Sequence, residues 1–337
     1  MRPSLLRYLV CPACQAPLAL ETTKAHLDVI VEGHLDCHPC GRRFPIVRGI
    51  PRVLAGPLER GEERTSEAFG WLWREFAVLH GQEDYRRQFM DWIHPVQPEF
   101  FRDKVVLDAG CGMGRFASVA SELGARDVIA FDLSEAVEAA QANLAAFANV
   151  HVIQADLYRL PLCRDTAAPI DFAFSIGVLH HLPSPEDGFS TMVRHVKPGG
   201  AVLAWVYGRE NNEWIVRWVN PIRERITSQL PPRLLRAGSF CVALALHGLL
   251  KVLYRPAHRW RDRLPYSAYL AWLSQFRFRH THAVIFDHLS APTTCYIRRE
   301  EFQGWFDRAG LTDRVITWRN QNSWRGLGFR PEPLPRA

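Results

Sequence analysis

Between Lys104 and Tyr207 the apolar positions fall into five short runs, in KVVLDAG, DVIAFD, NVHVIQAD, IDFAFSIG and GAVLAWVY. These runs lack the polar alternation of a half-solvated strand, so each predicts a strand buried on both faces. The segments between them, RFASVASEL among them, repeat apolar residues at helical spacing. Strand and helix therefore alternate, which predicts an α/β fold with a mostly parallel sheet and helical crossovers.

The chain on either side follows other patterns. CGRRFPIVRGIPRVL (residues 40–54) reads as short strands around a Gly49/Pro51 turn. EAFGWLWREF and YRRQFMDWIHP place Trp71, Trp73, Phe76, Phe89 and Trp92 at helical spacing, as expected of core or lid packing. After Tyr207 the chain leaves the sheet for a helical insertion, and REEFQGWFDRAGLTDRVITWRN predicts a last helix and strand. The divisions are a β-rich region over 1–55, an aromatic helical linker or lid over 56–100, and the α/β region over 101–337 with a cap insertion at 209–292.

SFCVALALHGLLKVLY is the most apolar stretch, but His247, Gly248 and Lys251 interrupt it below the roughly 18 clean residues of a span, so no transmembrane segment is predicted. MRPSLLRYLVC is too short and too interrupted by Arg7 for a signal peptide, and a cytoplasmic protein is expected. At 47% apolar and 23% charged residues the 337-residue chain reads as an ordinary globular protein. Its formal charge is +6, yet only four of the 41 basic residues are Lys, a skew that weakens arguments from Arg alone. The charge is uneven: residues 209–282 hold 13 basic and four acidic side chains. Such a surface suits acceptor selection, anionic lipid or RNA phosphates, or is simply a solvated basic face.

Four of the eight cysteines stand as CPAC and CHPC, giving Cys11, Cys14, Cys37 and Cys40. Two such turns bring four thiolates around one ion, the spacing of a structural zinc site; a disulfide pair or redox CxxC is the alternative. With four sulfurs the site is closed, and His34 and His38 are bystanders. The region resembles the small zinc-ribbon proteins that partner and activate RNA and protein methyltransferases, which implies a possible protein partner for the ribbon.

DAGCGMG follows the first strand of the α/β region and opens a helix, where small residues let a backbone approach a ligand. Asp132 ends the second strand 24 residues after Asp108, near the spacing at which an acid meets ribose hydroxyls; it also stands where a helix N-cap would. The loop is G-x-G-x-G rather than the G-x-G-x-x-G of nicotinamide sites. DAGCGMG, FDLS, AD, SIGVLHH and KPGG in that order resemble the class I S-adenosylmethionine-dependent methyltransferases.

That resemblance implies a Rossmann-like fold with a seven-stranded sheet and S-adenosylmethionine as cofactor. It places Asp108, Gly110, Cys111, Gly112 and Gly114 around the methionyl part. Asp132 and Leu133 then hold the ribose, and Asp156 and Leu157 the adenine. Ser175, Ile176 and Gly177 lie beside the methyl group.

The adjacent His180 and His181 diverge on a helical turn, which makes a poor metal site. Similar lipid-modifying methyltransferases carry Glu-His here with the first residue facing the reaction chamber. His180 is therefore the candidate catalytic base and His181 a packing residue. Exocyclic-amine methylation of nucleobases uses a polar-Pro-Pro-aromatic tetrad that SIGV lacks. Asp287, His288, Tyr296 and Arg298 are candidate substrate residues, and Asn320, Asn322, Trp324 and Arg325 a candidate terminal loop at the same mouth. The reading is methyl transfer, at oxygen, to a small-molecule or lipid/glycan-linked acceptor. The alternatives are an RNA methyltransferase using the ribbon and basic cap for recognition, and a non-catalytic cofactor-binding module that docks a partner.

Overall fold

The computed structural model describes residues 1–58, 60–75, 82–164, 169–256 and 263–332. The strands are β1 (Ala19–His26), β2 (Val29–Cys37), β3 (Arg42–Val47), β4 (Ile50–Val53), β5 (Val105–Ala109), β6 (Asp127–Asp132), β7 (Val150–Ala155), β8 (Ile170–Ile176), β9 (Val196–Tyr207), β10 (Thr312–Arg319) and β11 (Ser323–Phe329). Among the described residues all eleven join one sheet, in the order β1-β2-β3-β4-β7-β6-β5-β8-β9-β11-β10.

The expected seven-stranded sheet is the stretch from β7 to β10. Strands β7, β6, β5, β8 and β9 pair in parallel, as their unbroken apolar runs require. The last two turn back as an antiparallel hairpin. QNSWRGLG, read from sequence as part of a terminal loop, is largely strand β11: its glycines are packing sites, where a Cβ on Gly326 would lie 2.5 Å from Phe306.

The ribbon lengthens the sheet from seven strands to eleven. β1 and β2 form the hairpin between the two CxxC turns, β3 follows the second turn, and β4 crosses over to pair in parallel with β7. The register is Arg52↔Gln154 and Val53↔Ala155, and the Arg52 guanidinium donates to Gln154 Oε1 at 2.7 Å. Tyr8 donates to Asp127 Oδ2 at 2.7 Å, adding a buried polar tie. Leu5, Leu35, Phe44 and Ile46 are buried in the same apolar layer as Leu107, Phe131 and Ile153. The boundary at residue 55 is thus a boundary in the sequence and not in the packing.

Helices α1 (Arg60–Glu75) and α2 (Gln82–Trp92) precede the α/β region; Phe76 lies outside the described residues. α3 (Arg115–Glu122), α4 (Ala136–Asn143) and α5 (Pro185–His195) are the crossovers. The insertion forms a helical cap of α6 (Asn220–Arg225), α7 (Pro232–Leu249), α8 (Ser267–Leu273) and α9 (Phe278–Ser290). α10 (Arg299–Arg308) leads into β10. α7 continues through a π turn, so Pro232–Tyr254 make a helical stretch of 23 residues, within which an 18-residue window reaches a mean hydropathy of 1.6, long and apolar enough by length and composition to cross a membrane. It is longer than its central apolar run suggests because Pro232 starts a helix well without donating its missing N–H.

Candidate functional site

β5 ends in a loop whose glycines Gly110, Gly112 and Gly114 all take positive φ, of 84°, 54° and 84°. Side chains there would also collide: a Cβ on Gly110 would lie 2.4 Å from Val178, and one on Gly112 2.9 Å from the Trp73 indole nitrogen. The loop and the carboxyl ends of β5, β6, β7 and β8 open into one chamber of about 760 Å³, at the point where the strand order reverses.

The cofactor half of this chamber is lined by Gly110, Cys111, Gly112, Asp132, Leu133, Asp156, Leu157, Ile176 and Gly177. Asp132 is fixed from three sides. The Gly112 and Ser134 amides donate to its two oxygens at 2.9 Å each, and the Ser134 hydroxyl donates at 2.7 Å. Burial nevertheless pushes its pKa up, the hydrogen bonds opposing. Asp156 accepts from the Tyr158 amide at 2.9 Å and caps the short turn that follows.

Three expected contacts stand back from the chamber. Gly114 serves packing, its missing Cβ leaving room for Leu144, which would otherwise lie 2.5 Å away. Ser175 is fully buried and its hydroxyl donates to the Ala109 carbonyl at 3.0 Å, tying β8 to β5. Asp108 lies behind the loop with Oδ2 buried and unpartnered, and burial followed by the nearby Asp132 pushes its pKa up to about 8. An orphaned carboxylate oxygen behind a loop that only glycine can form suits the ammonium end of a methionyl group.

The other half of the chamber belongs to the lid and the cap. α1 contributes Phe69, Leu72 and Trp73, α2 contributes Tyr85 and Trp92, and α9 contributes Asp287 and His288. Trp205 and Tyr207 of β9, with Tyr296, complete an aromatic wall; Tyr207 stacks on His288 at 5.4 Å and on Tyr296 at 5.8 Å. Asp287 faces this wall with Oδ1 buried and unpartnered. Burial raises its pKa to about 6, while the Arg223 and Arg115 guanidiniums act to lower it. Arg298 stands outside the chamber, 3.5 Å from Glu213 in an exposed ion pair, because it precedes α10 rather than pointing inward.

The histidine pair is arranged in the reverse of the sequence expectation. His180 is fully buried, lies with its ring tilted against that of Tyr207 at 4.0 Å and does not line the chamber, with both ring nitrogens unpartnered. His181 does line it. Its Nδ1 donates to the Thr293 carbonyl at 2.8 Å, and burial depresses its pKa to about 4. The reversal follows from the 3₁₀ turn Leu179–His181, which aims the first ring under β9 and the second toward α1, where Phe69 lies 4.9 Å away.

Of the four terminal residues, Asn322 lines the chamber and Asn320, Trp324 and Arg325 do not. Sequence reasoning missed Arg223, Arg115 and Tyr207. Arg223 is only 1% exposed and donates to Asn220 Oδ1 at 2.8 Å; the Arg-rich composition hid it. Arg115 follows the glycine loop directly and packs over the Trp73 ring at 5.3 Å, so its position beside the motif was a usable signal.

Far from this chamber in sequence, the four CxxC sulfurs lie within 4.8 Å of one another, with Cys11 3.6 Å from Cys40 and Cys14 3.3 Å from Cys37. A tetrahedron with bonds of about 2.3 Å has edges of about 3.8 Å, so the cluster fits one zinc ion. The cysteines are free rather than disulfide-bonded.

Comparison with known proteins agrees with both halves. Residues 82–315 match the family described as methyltransferase domain, and residues 2–49 match the Trm112p-like protein family. The ubiquinone biosynthesis O-methyltransferase of Caulobacter vibrioides is 28% identical over 170 residues, 48% of this chain and 67% of that protein. The tRNA (carboxymethyluridine(34)-5-O)-methyltransferase of Arabidopsis thaliana is 31% identical over 119 residues, 34% of this chain and 27% of that protein. The chain spans about two thirds of the length of the ubiquinone-biosynthesis relatives it matches. Among solved structures, a complex between the Haloferax volcanii Trm112 methyltransferase activator and its methyltransferase aligns with TM-score 0.45 and 16% identity, over 81% of this chain and 99% of that one. The chain belongs to the methyltransferase domain family and carries a Trm112-like zinc-ribbon domain at its N-terminal end, which makes it an S-adenosylmethionine-dependent methyltransferase.

Proposed function

We propose that the chain methylates a hydroxyl oxygen of an apolar small-molecule or lipid/glycan-linked acceptor, with Asp287 taking the proton. The observation that carries this reading is the Asp287 carboxylate, buried and unpartnered at Oδ1, in the same chamber as the glycine loop. S-adenosylmethionine supplies an already activated methyl group, so the residues of the chain need only align the acceptor and remove its proton. The loop from Gly110 to Met113, with Asp108, Asp132 and Asp156, would hold the cofactor. Ile176 and Gly177 would lie at the junction of the two half-chambers. Phe69, Tyr207 and Tyr296 would sandwich the acceptor, and His181, neutral near pH 7, would accept a hydrogen bond at Nε2.

An aromatic, enclosed acceptor half favours a small or lipid-borne molecule over a polynucleotide. The names of the O-methyltransferase relatives support oxygen as the acceptor atom. In this reading the ribbon's partner is the chain's own sheet, which β4 joins in cis, and a four-thiolate site suits the reducing cytoplasm.

The decisive experiment is transfer of labelled methyl to separated fractions of the native cell extract. Label is expected in organic-extractable or small-molecule fractions; label confined to ribonuclease-sensitive material would replace this reading with an RNA acceptor. For the cofactor half, Asp132→Ala should weaken S-adenosylhomocysteine binding by roughly 10–100-fold, the cost of losing charge-assisted hydrogen bonds. Wild-type affinity in calorimetry would remove Asp132 from the site.

A further inference from the structure

α7 is apolar on both faces. One face packs inward: Leu235 meets Leu72 and Phe286, and Leu250 and Tyr254 meet Leu273. Polar ties hold that face to its neighbours, with Ser239 Oγ 3.0 Å from His282, His247 3.0 Å from Thr281, and Lys251 donating to the Ser274 and Phe276 carbonyls. The opposite face is solvent-exposed at Leu234, Gly238, Cys241, Val242, Ala245, Leu249 and Val252, spaced at three or four residues but for the adjacent Cys241 and Val242. Leu234 is 58% exposed, Leu249 46% and Val252 70%. A helix facing water carries polar residues at such positions, and a patch of this kind marks an interaction site. No Asp, Glu, Lys or Arg occurs between Arg236 and Lys251, a length of about 21 Å at 1.5 Å per residue.

A second exposed row precedes it. Trp214, Trp218, Ile222 and Ile226 recur every four residues and are 50 to 63% exposed. Arg217, Arg225, Arg233 and Arg255 flank the two rows and are themselves exposed. The surrounding segment holds 13 basic against four acidic residues, while the rest of the chain has more acids than bases. Apolar rows, interfacial tryptophans and flanking arginines together match an anionic lipid surface better than a protein face, whose core excludes charge without needing one sign at the rim. The same elements reach the chamber, since Trp214, Ile215 and Leu246 line it.

We propose that the cap docks on an anionic bilayer through the outer face of α7 and the Trp214–Ile226 row, lying on the surface rather than crossing it, with the chamber opening beside the docked face. This rests on the lipid-borne form of the proposed acceptor only for its purpose, not for the docking itself.

The test is sedimentation of the full zinc-loaded chain with vesicles of phosphatidylcholine, with and without phosphatidylglycerol. Binding to the anionic vesicles is expected, weaker by at least about tenfold without phosphatidylglycerol and for the Leu249→Asp/Val252→Asp variant. A second variant, Arg225→Ala/Arg233→Ala/Arg255→Ala, removes exposed charge while sparing Arg217, which packs over the Trp218 ring at 5.2 Å, and should lose the preference for phosphatidylglycerol. S-adenosylhomocysteine binding checks that each variant is folded. Equal binding by wild type and both variants would overturn the proposal. So would a wild type that ignores vesicles but sediments as a dimer that Leu249→Asp/Val252→Asp converts to monomer, which would make the face a self-interface. Methyl transfer to an extracted acceptor without vesicles is read separately, so the docking and the acceptor assignment can fail independently.

Discussion

Replacing Asp287 with Asn should lower kcat by about 10²–10⁴-fold near neutral pH, the usual contribution of a positioned general base. The substitution keeps the shape and removes the proton acceptor. Because burial holds this carboxyl at about pH 6, wild-type kcat should rise with pH through about 6 and level off above it. The variant should lack that limb while binding S-adenosylhomocysteine as the wild type does.

Stability should move the other way. A carboxyl whose pKa is raised on folding contributes stability at pH values below its unfolded pKa and loses that contribution as the pH rises through about 6. Asp287→Asn should therefore melt at or above the wild-type temperature at neutral pH. A variant that retains full kcat and an unchanged pH profile would exclude Asp287 as the base. A variant that loses activity because it no longer binds cofactor would mark it as a structural residue.

The second large effect concerns the cysteine cluster. Cys37→Ser, or removal of zinc by a strong chelator, should lower the melting temperature of the whole chain by more than about 10 °C, since structural zinc contributes about 10–16 kcal/mol in isolated finger peptides and even part of that is a large fraction of a domain's stability. The loss should occur in a single calorimetric transition because Leu35, Cys37 and Phe44 are buried in the same layer as Leu107 and Ile153. Cofactor binding should weaken with it, as β4 pairs with β7 up to Ala155, next to Asp156. Two separate transitions, or a zinc-free chain with unchanged melting, would show that ribbon and sheet fold independently.

Much of this architecture was legible because its signals are local. Unbroken apolar runs fix parallel strands, CxxC spacing fixes the ion site, and a glycine loop after a strand fixes the cofactor end of the sheet. The acceptor side was legible only in part. Asp287, His288 and Tyr296 come from one stretch, but what makes Asp287 a candidate base is burial against Arg223 of the cap and Tyr207 of the sheet, far apart in sequence. The direction of His180 depends on a single 3₁₀ turn, a geometry that residue identity does not encode. The pairing of β4 with β7 has no local signature at all, since the contact joins positions about a hundred residues apart.

That pairing has a further consequence for expression and turnover in the cell. β4 covers what would otherwise be the bare edge of β7, a row of unpaired amides and carbonyls flanked by apolar side chains. A chain shortened to begin after Val53 would expose that edge and recruit other chains to it. Zinc starvation would then act on abundance as well as on cofactor binding, by clumping and degradation of the enzyme.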